Sequence, residues 1–134
     1  TTEDAMNIEE IKRRFISEFG ATSNGFDIID LCVEEAVSTV NPKCNRPGVY
    51  VYWHPEYDVV LVGKSQSNSK KRALQHIKDN SGNNVVSMNY FEGDSRLRIL
   101  LFNISEDNFK HWVLALEAFF EWNIRPVIKA WRIG

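Results

Sequence analysis

Two features are scarce in this sequence of 134 residues: cysteine and long apolar runs. Two cysteines cannot build a disulfide framework, and neither lies beside a second Cys or His pair at the spacing of a zinc site. The longest uncharged apolar runs, such as residues 59–63, fall far short of the roughly 20 residues that cross a bilayer. The first residues lack the basic-then-apolar pattern of a secretory signal. We therefore expect a cytoplasmic protein without a membrane segment.

An excess of charge is also missing, since 16 Lys and Arg stand against 18 Asp and Glu, for a net charge of −2. This balance argues against a strongly basic protein that coats DNA without specificity. This average conceals two regions whose net charges have opposite signs. Residues 1–46 carry five basic and nine acidic side chains, for −4, and residues 47–134 carry eleven basic and nine acidic, for +2.

The acidic region has the apolar periodicity of helices. In residues 6–19, Ile8, Ile11 and Phe15 recur at steps of three and four, and the sequence predicts a second helix over residues 26–40 on the same grounds. A polar, proline-containing stretch over residues 42–47 has the composition of a connector. We therefore expect an acidic, helical N-terminal extension over residues 1–46 and one domain over residues 47–134.

The remaining region begins with strands. Gly48–His54 is rich in β-branched and aromatic residues, and residues 59–63 form a second apolar run four residues later, so the pair predicts a hairpin. The two-residue period of the first strand places Tyr50 and Tyr52 on one face and Val49 on the other. A helix is predicted over residues 70–79, with Asn68 or Ser69 as its cap.

Further strands and a long helix complete the chain. Residues 96–104 predict a clear strand and residues 85–91 a short one, while a helix capped by Ser105 is predicted to carry a single apolar stripe and to end at Arg125 and Pro126. The order of elements predicts an α+β fold, in which a small, mainly antiparallel central sheet is flanked by helices.

The sequence contains no phosphate-binding glycine loop, no serine-hydrolase elbow and no zinc-protease motif. What remains is a set of polar residues on otherwise apolar elements. Tyr50 lies in the first strand of the hairpin, Arg72 and His76 are four residues apart on one helix, and Glu117 borders the apolar stripe of the last helix. A carboxylate in that position requires a partner or a metal.

At these residues the sequence resembles the GIY-YIG nuclease superfamily. The triplets at 48–50 (GVY) and 61–63 (LVG) stand where the two signature triplets would be, residues 70–76 resemble the family's arginine-bearing helix, and residues 117–126 resemble its metal-binding helix. The resemblance covers about three-fifths of the chain. It implies a GIY-YIG-like fold, a metal-dependent endonuclease that hydrolyses phosphodiester bonds in DNA, and one Mg²⁺ or Mn²⁺ with no small-molecule cofactor.

The resemblance also implies roles for single residues. Tyr50 matches the tyrosine that orients or deprotonates the attacking water, Arg72 the arginine that grips the phosphate, and His76 the position that assists proton transfer. Glu117 matches the metal ligand. A fixed arginine and a hard cation suit the negative charge that develops on phosphate oxygens during hydrolysis.

Two positions depart from the family pattern. Leu61 replaces the tyrosine of the second triplet, and Lys129 replaces an asparagine that usually follows the last helix. Tyr52, on the same strand face as Tyr50, and the cations Lys64 and Lys129 are candidates for auxiliary roles.

The cations nearest the predicted site are expected to contact nucleic acid, branched and flap DNA included. They are Lys70, Lys71, Lys78 and Arg125. The alternative, which the two departures favour, is a domain with reduced catalysis that binds nucleic acid or a protein partner.

Overall fold

The structure is a computed structural model and describes residues 6–78 and 87–128. Within these ranges the chain forms four strands and four α-helices around one sheet. In chain order they are α1 (Ile8–Phe19), β1 (Phe26–Cys32), α2 (Val33–Ser38), β2 (Gly48–His54), β3 (Asp58–Ser65), α3 (Ser69–His76), β4 (Arg98–Ile104) and α4 (His111–Asn123). Short 3₁₀ turns occupy Gly20–Gly25, Pro42–Asn45, Met88–Phe91 and Asp107–Phe109.

The sheet has the strand order β1-β4-β2-β3, and every pairing is antiparallel. The predicted α+β class, with a small antiparallel sheet flanked by helices and an N-terminal helix, is therefore confirmed. The predicted hairpin is present as β2 and β3, with a bulge after Tyr52. The faces of β2 are also as expected, because Tyr50 and Tyr52 belong to one buried cluster and Val49 and Val51 to the other.

The predicted second helix over residues 26–40 is wrong for its first half. Residues Phe26–Cys32 form the edge strand β1, and all seven pair with β4. Their apolar side chains fit a period of two as well as a helical period, because Phe26 and Ile28 pack in one core cluster and Ile29 and Leu31 against the other. Pairing with a buried neighbour decided between the two patterns. The acidic region therefore supplies a strand to the sheet as well as helices.

Two smaller predictions also failed. The short strand expected over residues 85–91 is a 3₁₀ turn at Met88–Phe91, and residues 85–86 lie outside the described residues. Ser105 does not cap the last helix, because the turn at Asp107–Phe109 intervenes and α4 begins at His111. The Ser105 hydroxyl instead donates a hydrogen bond to the carbonyl of Gly25, which joins the ends of β4 and β1.

Helices cover both faces of the sheet. Helices α1 and α4 pack on one face through Ile11, Phe15 and Phe120. Helices α2 and α3 pack on the other face through Ala36 and Ala73. We call these the α4 face and the α3 face. No helix in the described ranges is long and apolar enough to cross a membrane.

Candidate active site

Tyr50 sits in the middle of β2, one of the two central strands, and projects onto the α3 face. Its ring lies next to Gly63 of the edge strand β3, which is its cross-strand partner. A Cβ atom at position 63 would clash with both Cζ and Oη of Tyr50. Because of this clash, only glycine at position 63 leaves room for the ring in this position.

Helix α3 brings the second residue of the site to Tyr50. The side chain of Asn68 accepts a hydrogen bond from the backbone of Lys71, so one of the two predicted caps is confirmed. Ser69 and Ala73 are buried one turn apart and fix the inward side of the helix. Because residues four apart share one side of a helix, Arg72 and His76 lie together beside this buried stripe.

The hydroxyl of Tyr50 and the Nδ1 atom of His76 are 2.7 Å apart. The two residues are 26 positions apart in the chain, and the structure brings them into direct hydrogen-bond contact. If the hydroxyl donates, Nδ1 is the unprotonated ring nitrogen and is in position to accept a proton from the phenol. Tyr50 is only 1% exposed, whereas His76, which its hydroxyl contacts, is partly exposed.

Tyr52 is also fully buried on this face, and its hydroxyl donates a hydrogen bond to the backbone carbonyl of Ala73. This bond ties the central strand to the middle of α3, one residue from Arg72. The contact that the structure shows for Tyr52 therefore positions helix α3. The auxiliary catalytic role of Tyr52 stays a prediction.

Glu117 approaches the same edge strand from the α4 face. Its Oε1 atom lies 3.5 Å from the Nζ atom of Lys64, and the two side chains are only 16% and 19% exposed. Lys64 pairs with Val49, whose side chain belongs to the α4 face. Tyr50 thus contacts Gly63 and Glu117 contacts Lys64, which are consecutive residues of β3. The phenol of Tyr50 and the carboxylate of Glu117 therefore lie next to the same short stretch of β3, but on opposite faces of the sheet.

The other predicted site residues are placed as follows. Leu61, which replaces the second tyrosine, is buried in the α3-face core beside Tyr50. Arg125 is exposed just after α4, at a positive φ of 45°. Lys129 lies outside the described residues. Lys70, Lys71 and Lys78 line a groove on the other side of α3.

A divalent ion at Glu117 is compatible with the donors present. Among residues 6–78 and 87–128, no three His, Cys, Asp or Glu side chains are grouped so as to hold a metal ion. Mg²⁺ in phosphoryl-transfer sites usually keeps several waters and takes one or two protein carboxylates together with substrate phosphate oxygens. One half-buried carboxylate meets that requirement, although the Lys64 ammonium already lies against it.

The sequence did not reveal two buried polar groups on the α3 face. His54 is fully buried, its Nε2 lies 2.9 Å from Asp94, and its Nδ1 accepts the backbone N–H of Glu56. The Arg96 side chain holds the pKa of Asp94 well below its ordinary value, with further hydrogen bonds from the Arg96 backbone and from His54. The two-residue period of β2 places His54 on the same face as Tyr50 and Tyr52, and this alternation was the available signal. Its partner Asp94 lies 40 residues away, and no local sequence pattern indicated that the two would meet.

The second missed group is a buried junction at Asn103 on β4. Its amide donates to the carbonyls of Lys43 and Cys44, and its oxygen accepts from the hydroxyl of Ser69. The junction therefore fixes the start of α3 to a central strand. A lone amide in the apolar run of β4 was its signal in the sequence.

Comparison with known proteins adds nothing to this geometry: no family model, no curated protein and no solved structure matches the chain.

Proposed function

We propose that this domain is a metal-dependent endonuclease that hydrolyses phosphodiester bonds in DNA. The observation that carries the proposal is the 2.7 Å contact between the Tyr50 hydroxyl and the His76 ring. The sequence resemblance to GIY-YIG nucleases pairs these two positions in function. Arg72, one turn before His76 on α3, and Glu117, next to the same edge strand, complete the proposed set.

Tyr50 and His76 form the proton-accepting part of the site. A phenol with a pKa of about 10 is a weak acid, and it accepts a proton from water only if its own proton can leave. The His76 nitrogen accepts that proton as the Tyr50 oxygen takes one from the attacking water. The water oxygen bonds to phosphorus, the phosphorus–oxygen ester bond breaks, and the leaving alkoxide is protonated from solvent.

Arg72 and Glu117 stabilise charge. The Arg72 guanidinium binds the phosphate oxygens that become more negative as water adds. Glu117 would hold the Mg²⁺ or Mn²⁺ ion, which supplies further positive charge at the phosphate when bound. Lys64 shares the carboxylate and would share or exchange that contact with the ion.

A second candidate function is supported by the burial of the site. Tyr50 and Leu61 are 1% and 2% exposed, and Glu117 is already paired with Lys64. A domain of this kind would bind DNA or a protein without cutting. Its binding to DNA would weaken as salt rises, because phosphate contacts release counterions.

The test measures cleavage of supercoiled plasmid and of labelled flap and branched DNA with Mg²⁺ or Mn²⁺. Tyr50→Phe removes the hydroxyl that contacts His76 and should lower the rate at least about 100-fold. Arg72→Ala and Glu117→Gln should do the same. Tyr90→Phe, at an exposed tyrosine on a different part of the surface, is the matched control and should cut like wild type.

Two results would contradict the nuclease proposal. Undiminished cutting by Tyr50→Phe would place the chemistry elsewhere. No cutting by the wild-type protein with either metal, combined with salt-sensitive binding to the same DNA, would support the binding domain instead.

A further inference from the structure

A groove of about 740 Å³ runs between α2 and α3, and we call it the α2–α3 groove. Its floor is apolar, with Val33 and Val37 from α2 and Leu74 from α3. Lys70, Lys71 and Lys78 stand along its rim. An apolar floor with a mostly positive edge is a surface for recognition rather than a solvated helix face.

The groove is separate from the candidate active site. Successive residues of an α-helix are turned by about 100°. Residues 70, 71 and 74 therefore lie on the far side of α3 from Arg72 and His76. The buried stripe of Ser69 and Ala73 lies between them. A molecule seated in the groove would contact α3 without touching the Tyr50–His76 pair.

Within the described residues, the rim lysines differ from most other cations in having no ion-pair partner. Lys64, Arg96 and Arg98, for example, are each in an ion pair. Across the parts of the chain that the structure describes, Lys70, Lys71 and Lys78 take part in no ion pair. Among the described residues that line the groove, Glu92 is the only acidic one. The rim therefore carries uncompensated positive charge that suits an acidic partner.

The apolar floor decides between two kinds of acidic partner. DNA backbone binding requires cations and hydrogen-bond donors at the phosphates and makes no use of exposed valine and leucine. Val37 is 68% exposed, and the groove extends along the eight residues of α3, which is about 12 Å of helix. An amphipathic helix would bury apolar side chains on this floor and place its acidic residues against the lysines.

From this combination we infer that the α2–α3 groove is a docking site for an acidic amphipathic helix of a partner protein. The helix lies along α3, with leucine-like side chains against Val37 and Leu74 and carboxylates facing Lys70, Lys71 and Lys78. Docking leaves the Tyr50–His76 side of α3 open. The inference does not depend on catalysis, so the experiments can contradict it without contradicting the proposed function.

The probe is a fluorescein-labelled synthetic helix of about 14 residues, with leucine at i, i+3, i+4 and i+7 and glutamate on both flanks. Fluorescence anisotropy with the full chain should show saturable binding. Val37→Glu and Lys71→Glu should each weaken it at least about tenfold. The matched controls are Val40→Glu, at an exposed valine outside the groove, and Lys110→Glu, at an exposed lysine outside it, and both should bind normally.

Amide chemical shifts of the labelled protein locate the peptide without relying on variants. Shifts at residues of α2 and at Leu74 support the inference. It is overturned if the peptide does not saturate, if its binding is equal in Val37→Glu and wild type, or if a peptide with lysine in place of glutamate binds as well. It is also overturned if duplex DNA displaces the peptide and the lysine variant, but not Val37→Glu, loses DNA binding.

Discussion

The two faces of the sheet are built by different means. The α4 face is packed with phenylalanine, and Phe15 alone makes ring contacts with Phe19, Phe26 and Phe102. The α3 face holds all three of the fully buried polar side chains in the described residues, which are His54, Ser69 and Asn103. It also holds Tyr50 and Tyr52, whose hydroxyls are both hydrogen-bonded.

This difference indicates how the domain divides its tasks. Apolar contacts are not directional, so the α4 face, apart from the Glu117–Lys64 pair, contributes stability while tolerating small shifts. Buried hydrogen bonds are directional and costly to leave unmade, so the α3 face fixes particular atoms in place. The roles proposed for Tyr50 and His76 require that kind of placement. The comparison can be tested by substitutions on one face at a time.

The largest effect is expected from Phe15→Ala on the α4 face. The side chain is buried among three other phenylalanines, and its removal should lower the free energy of unfolding by about 4 kcal/mol. Urea denaturation measures the loss. Phe15→Leu should cost clearly less, and DNA cleavage per folded molecule should be unchanged in both variants. Loss of cleavage in a fully folded Phe15→Leu protein would contradict the division of tasks.

A smaller effect is expected from Asn103→Leu on the α3 face. Leucine fills a similar volume but leaves the carbonyls of Lys43 and Cys44 and the hydroxyl of Ser69 without their partner. The free energy of unfolding should fall by about 3 kcal/mol. The start of α3 should also loosen, so amide exchange at residues 69–73 should accelerate more than it does in Phe15→Leu. Equal exchange in the two variants would show that this junction does not hold α3.

The smallest effect is expected in how the stability of the fold changes at acidic pH. The hydrogen bonds from Arg96 lower the pKa of Asp94 below its ordinary value of 3.8. A lowered carboxyl pKa in the folded state stabilises the fold above the unfolded-state value, and this contribution is lost as the pH falls through the folded-state pKa. The melting temperature of Asp94→Asn should therefore fall less than that of wild type between about pH 5 and about pH 2. Parallel curves for the two proteins would exclude this contribution.

Elements with a single strong periodicity were predictable from the sequence. The alternation in β2 predicted both its bounds and its two faces, and the spacing in α1 predicted a helix with Ile11 and Phe15 inward. Residues 26–32 satisfied two periods at once. Only pairing with β4, about 70 residues later in the chain, made them a strand.

The candidate site was predictable in part for a related reason. Arg72 and His76 are neighbours through local helix geometry, which the sequence contains. The contact between Tyr50 and His76 was not predicted, because the resemblance implied a role for each residue and no spacing in the sequence places the two side chains together. The pairing of Glu117 with Lys64, and of His54 with Asp94, depends on how whole elements pack. Such contacts carry no local pattern.

The contact between the Tyr50 ring and Gly63 couples the residue types that can be accepted at positions 50 and 63. Position 61 already carries leucine without disturbing the ring, since Leu61 packs in the same core. Position 63 has no such freedom while the Tyr50 ring keeps its present place. A side chain at 63 would require either a smaller residue at 50 or a displaced ring. Among diverging copies of this domain, a larger residue at 63 is therefore expected to occur together with a change at or around position 50.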